Sequence, residues 1–284
     1  MAEILKGRPV SDHKKGVVLA EVDNMRGYGV YPKLGIVRIG ENESDLSYER
    51  SVTKQFEKLG IDVKVFSFAA DISQEDFIEA FAKINKSSEI HGILLFRPLP
   101  KHIDIEAVKA VFDPQKDVDC MLDENLAKIF VGKKDGFAPC TAQAVISTLD
   151  FYEVDLTGKK VCIIGRSLVV GKPLAMMMMG KNATVTVCHT KTKDLAAECR
   201  AADVIVASAG RPKMIDDTFV SEGAVVIDVG INVDENGCLC GDVDFDRVKQ
   251  KASMITPVPG GIGAVTTALL AQHVVKAAKK QNKM

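Results

Sequence analysis

Two rhythms of apolar residues alternate along the first half of the chain. Short runs rich in branched and aromatic side chains, at 33–39, 62–68 and 91–95, have the length and composition of buried strands. Between them, residues 44–59 and 74–84 space their apolar positions three and four apart, as amphipathic helices do. A helix over 12–26 opens the series, Gly60 stops the second helix, and Pro98 and Pro100 end the third strand, because proline has no amide to give a sheet. Strands alternating with helices of this length imply parallel βαβ units. The stretch 113–138, with Pro114, Gly132 and Gly136, shows no strand pattern and reads as a hinge. Beyond it the rhythm restarts, with a helix at 141–151 and strands at 160–164, 183–188, 204–208 and 224–229. The expected fold is α/β in two domains.

Composition adds boundaries. At 284 residues, 46% hydrophobic and 26% charged, the chain can bury two ordinary cores. A formal net charge of -1 and a pI near 6.5 give no basis for nucleic-acid or anionic-membrane binding. The basic C-terminus KAAKKQNKM reads as a solvated helix end. No segment has signal-peptide or membrane-spanning character, so a cytoplasmic protein is expected. The seven cysteines lack paired metal-ligand spacing, and Cys238-Leu-Cys240, in an expected hairpin, does not supply it, so no metal site is expected.

The most informative segment is VCIIGRSLVVGKP, Val161 to Pro173, where an apolar strand enters a glycine turn and then a helix. Gly165 permits the turn, Ser167 offers a hydroxyl, and Gly171 lets the helix approach the sheet, so that amides at the helix start can face a pyrophosphate. The spacing departs from the usual Rossmann pattern, since Ser167 stands at the second glycine and Gly171 comes one residue late. The strand at 183–188 then ends in His189-Thr190-Lys191-Thr192-Lys193, with no acid before Asp194. Together with Arg166, this favours a 2′-phosphate and hence NADP over NAD; an exposed basic loop is the alternative. His189, His91, Cys140 and Asp228 take packing or capping readings first.

Four segments together resemble the methylenetetrahydrofolate dehydrogenase/cyclohydrolase family: GRSLVVGKP, DVGIN at 228–232, GDVDFD at 241–246 and TPVPGGIGAVTTALL from Thr256. The resemblance implies an N-terminal αβα catalytic domain (1–138 plus 266–284), a Rossmann-like NADP-binding domain (139–265) and a folate cleft between them. The final helix would return to the first domain, and a homodimer is implied. The matching cofactor positions are Gly165, Arg166, Ser167, Thr190 and Ile231, with Thr141 and Thr266 as further contacts. The matching folate positions are Tyr48, Asp119, Pro259, Gly260 and Gly263, with Tyr48 and Asp119 also carrying the catalytic assignment.

The sequence then departs from the family. A general acid/base lysine is expected four residues after Tyr48, on the same helix face, and Val52 stands there. Lys54 lies about 240° round the helix from Tyr48. Phe96 replaces the glutamine that would hydrogen-bond that lysine, and smaller changes are Cys120, Ala142 and Ala264. Arg97 is an unusual cation beside this pocket, with a surface arginine at a strand end as the equal alternative. Oxidation of 5,10-methylenetetrahydrofolate rests mainly on positioning, whereas hydrolysis of the methenyl product needs water activated and protons moved. The expectation is therefore an NADP-dependent dehydrogenase with weak or absent cyclohydrolase activity. A fully bifunctional enzyme and a catalytically silent folate- or nucleotide-binding protein are the alternatives.

Overall fold

The computed structural model describes residues 2–284, which divide into two compact units. One unit comprises His13–Lys128, Lys134–Ala138 and Thr267–Met284. Its sheet has three parallel strands in the order Asp62–Phe68, Lys33–Ile39, Gly92–Leu95. Leu34, Ile36 and Val37 of the central strand are fully buried, which is why that strand reads as a nearly continuous apolar run. The helix Glu43–Lys58 starts at Asn42, whose side chain accepts from the Ser44 amide, and Gln74–Lys86 starts at Ser73, which accepts from the Asp76 amide. These caps satisfy amides that the first turn leaves unpaired. Phe77, Phe81 and Ile84 then form one buried face of the second helix.

The stretch expected as a hinge does hold boundaries between the two units, from Lys128 to Pro139, but it is not irregular throughout. Residues 113–138 contain the helix Asp123–Phe130, and Asp117 forms a parallel bridge with Ile93 at the sheet. Asp117 is 1% exposed and accepts from the amides of Met121 and Leu122 and from Asn125 Nδ2, at 2.7 to 2.9 Å. A side-chain carboxylate thus organises a segment that has no apolar period to read. Gly92 shows how closely the unit packs: a Cβ there would lie 2.6 Å from Val118 and 3.2 Å from Val274. Val274 belongs to the last helix, Thr266–Gln281, which falls in this unit from Thr267 onward.

The other unit comprises the segment ending at Asp12, Ile129–Lys133 and Pro139–Thr266. Its parallel sheet runs Glu3–Ile4, Met254–Ile255, Val225–Asp228, Val204–Ala207, Lys160–Ile164, Thr184–Cys188. The helix Cys140–Phe151 packs on the helix Gly171–Met179. The N-terminal strand, within the 1–138 expected for the first domain, pairs with the sheet of this unit. Glu3 and Leu5 donate their amides to Ser253 and Ile255 at 2.8 Å, and a two-residue strand is too short to show a period. The hairpin around Cys238 and Cys240 forms from Asn232–Val233 and Leu239–Cys240. In the core, the Cys162 sulfur lies 3.7 Å from those of Cys188 and Cys199. Burial there raises the Cys188 thiol to about 12, so these thiols act as small apolar residues.

Candidate active site

At the end of the Lys160–Ile164 strand, Gly165 adopts φ +122 and donates its amide to Cys188 at 2.9 Å. A Cβ on Gly165 would collide with the Ser208 carbonyl, and one on Gly171 would collide with the carbonyl of Gly165. The glycine that comes one residue late is therefore the one that lets the helix touch the turn. Ser167 accepts the Val170 amide on Oγ at 3.1 Å and the Lys172 amide on its carbonyl at 3.0 Å, tying the turn to the start of the nine-residue helix. Arg166 and Ser167 are exposed beside that helix N-terminus, where an anion is favoured.

The loop after Thr184–Cys188 fits the same ligand. His189 builds it, taking the Lys191 amide on Nδ1 at 3.1 Å and giving its own amide to Thr192 Oγ1 at 2.9 Å. That leaves Thr190, Lys191 and Lys193 exposed. Asp194, the first acid after the strand, spends its carboxylate on the Ala197 amide at 2.9 Å as the cap of the next helix. The loop thus presents cations and a hydroxyl, the donor set for a 2′-phosphate.

A third cluster lies where strand Val225–Asp228 ends. Asp228, 3% exposed, accepts from the amides of Gly230, Asp242 and Val243 at 2.9 to 3.0 Å. Burial pushes its carboxyl up to about 6, against the pull of those amides. Asp242, fully buried, accepts from the amides of Ala209, Gly210 and Arg211 and from Asn232 Nδ2 at 2.5 to 3.0 Å. The two carboxylates pin the loops after two neighbouring strands. Asp242 went unnoticed in the sequence, and GDVDFD is the motif that held it. Alongside, a cavity of about 210 Å³ is lined by Asp228, Ile231, Pro259, Gly260 and Gly263 among others. The structure thus brings together Ile231, assigned to the cofactor, and three residues assigned to folate. Thr266 donates its hydroxyl to the Gly263 carbonyl at 3.2 Å. Thr141 sits half-buried in the helix Cys140–Phe151, which packs against the turn Ile262–Ala264.

In the unit with the three-stranded sheet, Tyr48 and Asp119 come with companions. The Tyr48 ring stacks at a tilt on Phe96, centroids 5.6 Å apart, and an Arg97 guanidinium nitrogen lies 3.4 Å from Asp119 Oδ2. Tyr48 is 42% exposed, whereas Val52, one turn along, is fully buried. Lys54 is exposed. Next to Tyr48, Glu49 accepts from Arg38 Nε at 2.7 Å, and Arg38 also donates to the Gly40 carbonyl at 2.6 Å, so this pair fixes the helix to the end of the central strand. His273, in the last helix, bonds the Val118 carbonyl through Nδ1 at 2.8 Å, directly before Asp119.

A Rossmann-type sheet with a phosphate-ready turn, in a chain that also carries a second parallel α/β unit with its own polar patch, defines a dinucleotide-dependent two-domain enzyme. Residues 5–119 match the catalytic domain, and residues 139–282 the NAD(P)-binding domain, of tetrahydrofolate dehydrogenase/cyclohydrolase. The chain belongs to the tetrahydrofolate dehydrogenase/cyclohydrolase family. It is 52% identical over 280 residues to the bifunctional protein FolD of Clostridioides difficile strain 630, covering 99% of this chain and 98% of that one. The crystal structure of the bifunctional enzyme FolD, methylenetetrahydrofolate dehydrogenase/cyclohydrolase, from Campylobacter jejuni superposes with a TM-score of 0.96 at 38% identity, covering all of both chains. The Trypanosoma brucei enzyme, crystallised with NADP cofactor and an inhibitor, gives a TM-score of 0.92 at 32% identity over 100% of this chain and 99% of that one. The expectation of weak or absent cyclohydrolase activity, drawn from Val52 and Phe96, finds no support in these relatives. The first is named bifunctional, and the names of the two crystallised enzymes carry both activities.

Proposed function

We propose that this chain is a bifunctional enzyme of one-carbon metabolism. It oxidises 5,10-methylenetetrahydrofolate with NADP and hydrolyses the methenyl product to 10-formyltetrahydrofolate. The observation that carries the reading is the extent of the likeness: half the residues are identical to a protein named bifunctional, over almost the whole of both chains. NADP, when bound, supplies the hydride acceptor. Gly165, Arg166 and Ser167 hold its diphosphate, Thr190 with its basic neighbours takes the 2′-phosphate, and Ile231, Thr141 and Thr266 complete the cofactor contacts. Asp228 and Asp242 fix the loops that carry Ile231 and the residues after Ser208.

Folate is assigned to Tyr48 and Asp119 in one unit and to Pro259, Gly260 and Gly263 in the other. Tyr48 offers a ring face and a phenol, and Asp119 accepts from the amino and ring N–H edge of the pterin. Oxidation asks these residues for orientation, since the folate nitrogens themselves spread the positive charge left by hydride departure. Hydrolysis asks for more, because water must add at the methenyl carbon while the bond to N5 breaks. A cytoplasmic homodimer belongs to the same reading.

The buried Val52 and Phe96 favour a second reading, a dehydrogenase alone. Purified protein incubated with methylenetetrahydrofolate and NADP separates the two. Reduced nicotinamide with methenyl absorbance decaying faster than in buffer is the expected result. Methenyl product that persists at the buffer rate overturns the bifunctional reading in favour of the dehydrogenase, and no reduced nicotinamide overturns both in favour of a silent binder.

A further inference from the structure

The edge of a 4-oxo pterin shows three groups in order: an amino group and a ring N–H, both donors, and then the carbonyl O4, an acceptor. A carboxylate only accepts. With the two donors on Asp119, O4 falls beside one carboxylate oxygen, where a further acceptor is repelled and a donor is wanted. Arg97 stands there, one guanidinium nitrogen 3.4 Å from Asp119 Oδ2, with the two side chains 37% and 32% exposed. The fold anchors both carriers of this pair. Arg97 follows Phe96, whose amide donates to the Val37 carbonyl at 2.9 Å just past the Gly92–Leu95 strand, and the ends of parallel strands are where ligands collect. Asp119 follows Val118, whose carbonyl is bonded by His273 Nδ1 at 2.8 Å. The Phe96 ring meets that of Tyr48, so the side chain offering a ring face and the pair offering an edge are joined through one peptide bond. Two buried cations of the unit are committed elsewhere. Arg38 is held by Glu49 and the Gly40 carbonyl, and Lys116 donates to the carbonyls of Asn85 and Ser87 at 2.7 and 2.6 Å. A pair as long and exposed as Arg97–Asp119 stabilises a fold little, so folding alone gives little reason for a guanidinium here.

We propose that Arg97 is a specificity-determining residue of the folate site, donating to O4 of the pterin while it also holds Asp119, so that the two side chains together read the donor–donor–acceptor order of the edge. The proposal rests on the assignment of that edge to Asp119 and is independent of whether the methenyl ring is hydrolysed. A guanidinium carries five N–H donors in a planar fork, so one nitrogen serves Asp119 while the fork reaches a second acceptor, and each carboxylate oxygen has lone pairs for two donors. The ligand class selected is the 4-oxo pterin. A 4-amino analogue has no oxygen for the arginine. Turned the same way, it sets an amino group against the guanidinium, donor on donor; turned over, it leaves Arg97 nothing to bond. In either pose it gains nothing from Arg97.

The test measures, by calorimetric titration in reducing buffer, the Kd of tetrahydrofolate and of its 4-amino-4-deoxy analogue for wild type, Arg97→Leu, Arg97→Lys and Asp119→Asn. In Arg97→Leu the Kd for tetrahydrofolate is expected to rise about 10- to 100-fold, the loss of one charge-assisted hydrogen bond. The Kd for the 4-amino analogue is expected to stay within about threefold, as for a surface substitution away from its ligand, and so reports a folded site. Arg97→Lys is expected to fall between, since an ammonium keeps the charge and loses the fork. Tetrahydrofolate bound by Arg97→Leu within about threefold of wild type overturns the inference. Equal weakening of both ligands also overturns it, since the arginine would then be structural. Asp119→Asn separates the inference from the reading beneath it: if that variant binds tetrahydrofolate as tightly as wild type, or wild type does not bind it, the folate assignment itself falls.

Discussion

At Val52 and Phe96, residue type decides what a position can do. Val52 is fully buried in the same helix face as Phe56, so the position behaves as core. Val52→Lys would place an ammonium among apolar atoms without a carboxylate, and Phe96, 7% exposed, offers its ring where a glutamine would offer an amide. The expected cost is about 3–5 kcal/mol, read as a fall in the urea midpoint, with no gain in methenyl hydrolysis. A large gain from that single change would contradict the pairing of amine and glutamine. Asp242 makes the opposite point. It is as buried as Val52, yet it accepts four hydrogen bonds, so burial is tolerated because every lone pair has a donor.

Among the elements, the last helix Thr266–Gln281 carries the most consequence per residue. Its Gln281 side chain donates to the His91 carbonyl at 2.7 Å, Lys276 donates to the carbonyls of Lys134 and Gly136, and His273 bonds the Val118 carbonyl. The last of these holds the segment that bears Asp119. Burial drives the His273 pKa down from 6.5 to about 4. The unfolded chain therefore binds a proton that the folded helix refuses between those values. Stability from this group is present above about pH 6.5 and lost as pH falls through about 4, by up to about 3 kcal/mol. The raised pKa of Asp228 acts in the opposite sense: its contribution is present below about pH 4 and lost as pH rises through about 6. The informative quantity is then the difference between wild type and His273→Gln. Denaturation at pH 7 and at pH 4.5 should show wild type losing more stability than the variant on acidification. Parallel losses would mean that His273 is protonated in the folded helix.

For the whole molecule, the preference between dinucleotides is the property most open to measurement. Arg166, Lys191 and Lys193 stand exposed around the turn and loop, while Asp194 is occupied as a helix cap. NADP at 100 times its Kd should stabilise the protein by about 2.7 kcal/mol, and NAD at the same concentration by clearly less. A thermal-shift titration in low and moderate salt checks this, because a phosphate contact weakens with ionic strength. An equal shift with NAD would remove the 2′-phosphate assignment.

How much was legible follows from what each feature depends on. The strand and helix runs from 33 to 95 and from 141 to 229 were readable because burial on a sheet or a helix face imposes a period on the sequence itself. The turn at Gly165 was readable because only glycine tolerates its dihedral angle and its contact with Ser208. The strand Glu3–Ile4 was not readable, since two residues have no period and their partners lie at Met254–Ile255. The Asp117 bend and the Asp228–Asp242 pair escaped for a related reason: a carboxylate letter does not say whether it meets water or several amides. The sequence by itself determined the alternation of elements, the glycine turn after the strand and the absence of an amine four residues after Tyr48, all consequences of local chemistry. Only the tertiary structure decided that Arg97 meets Asp119, that Asp194 is a cap and that His273 is dry, because each depends on segments distant in the chain or on the folding of a loop back onto itself.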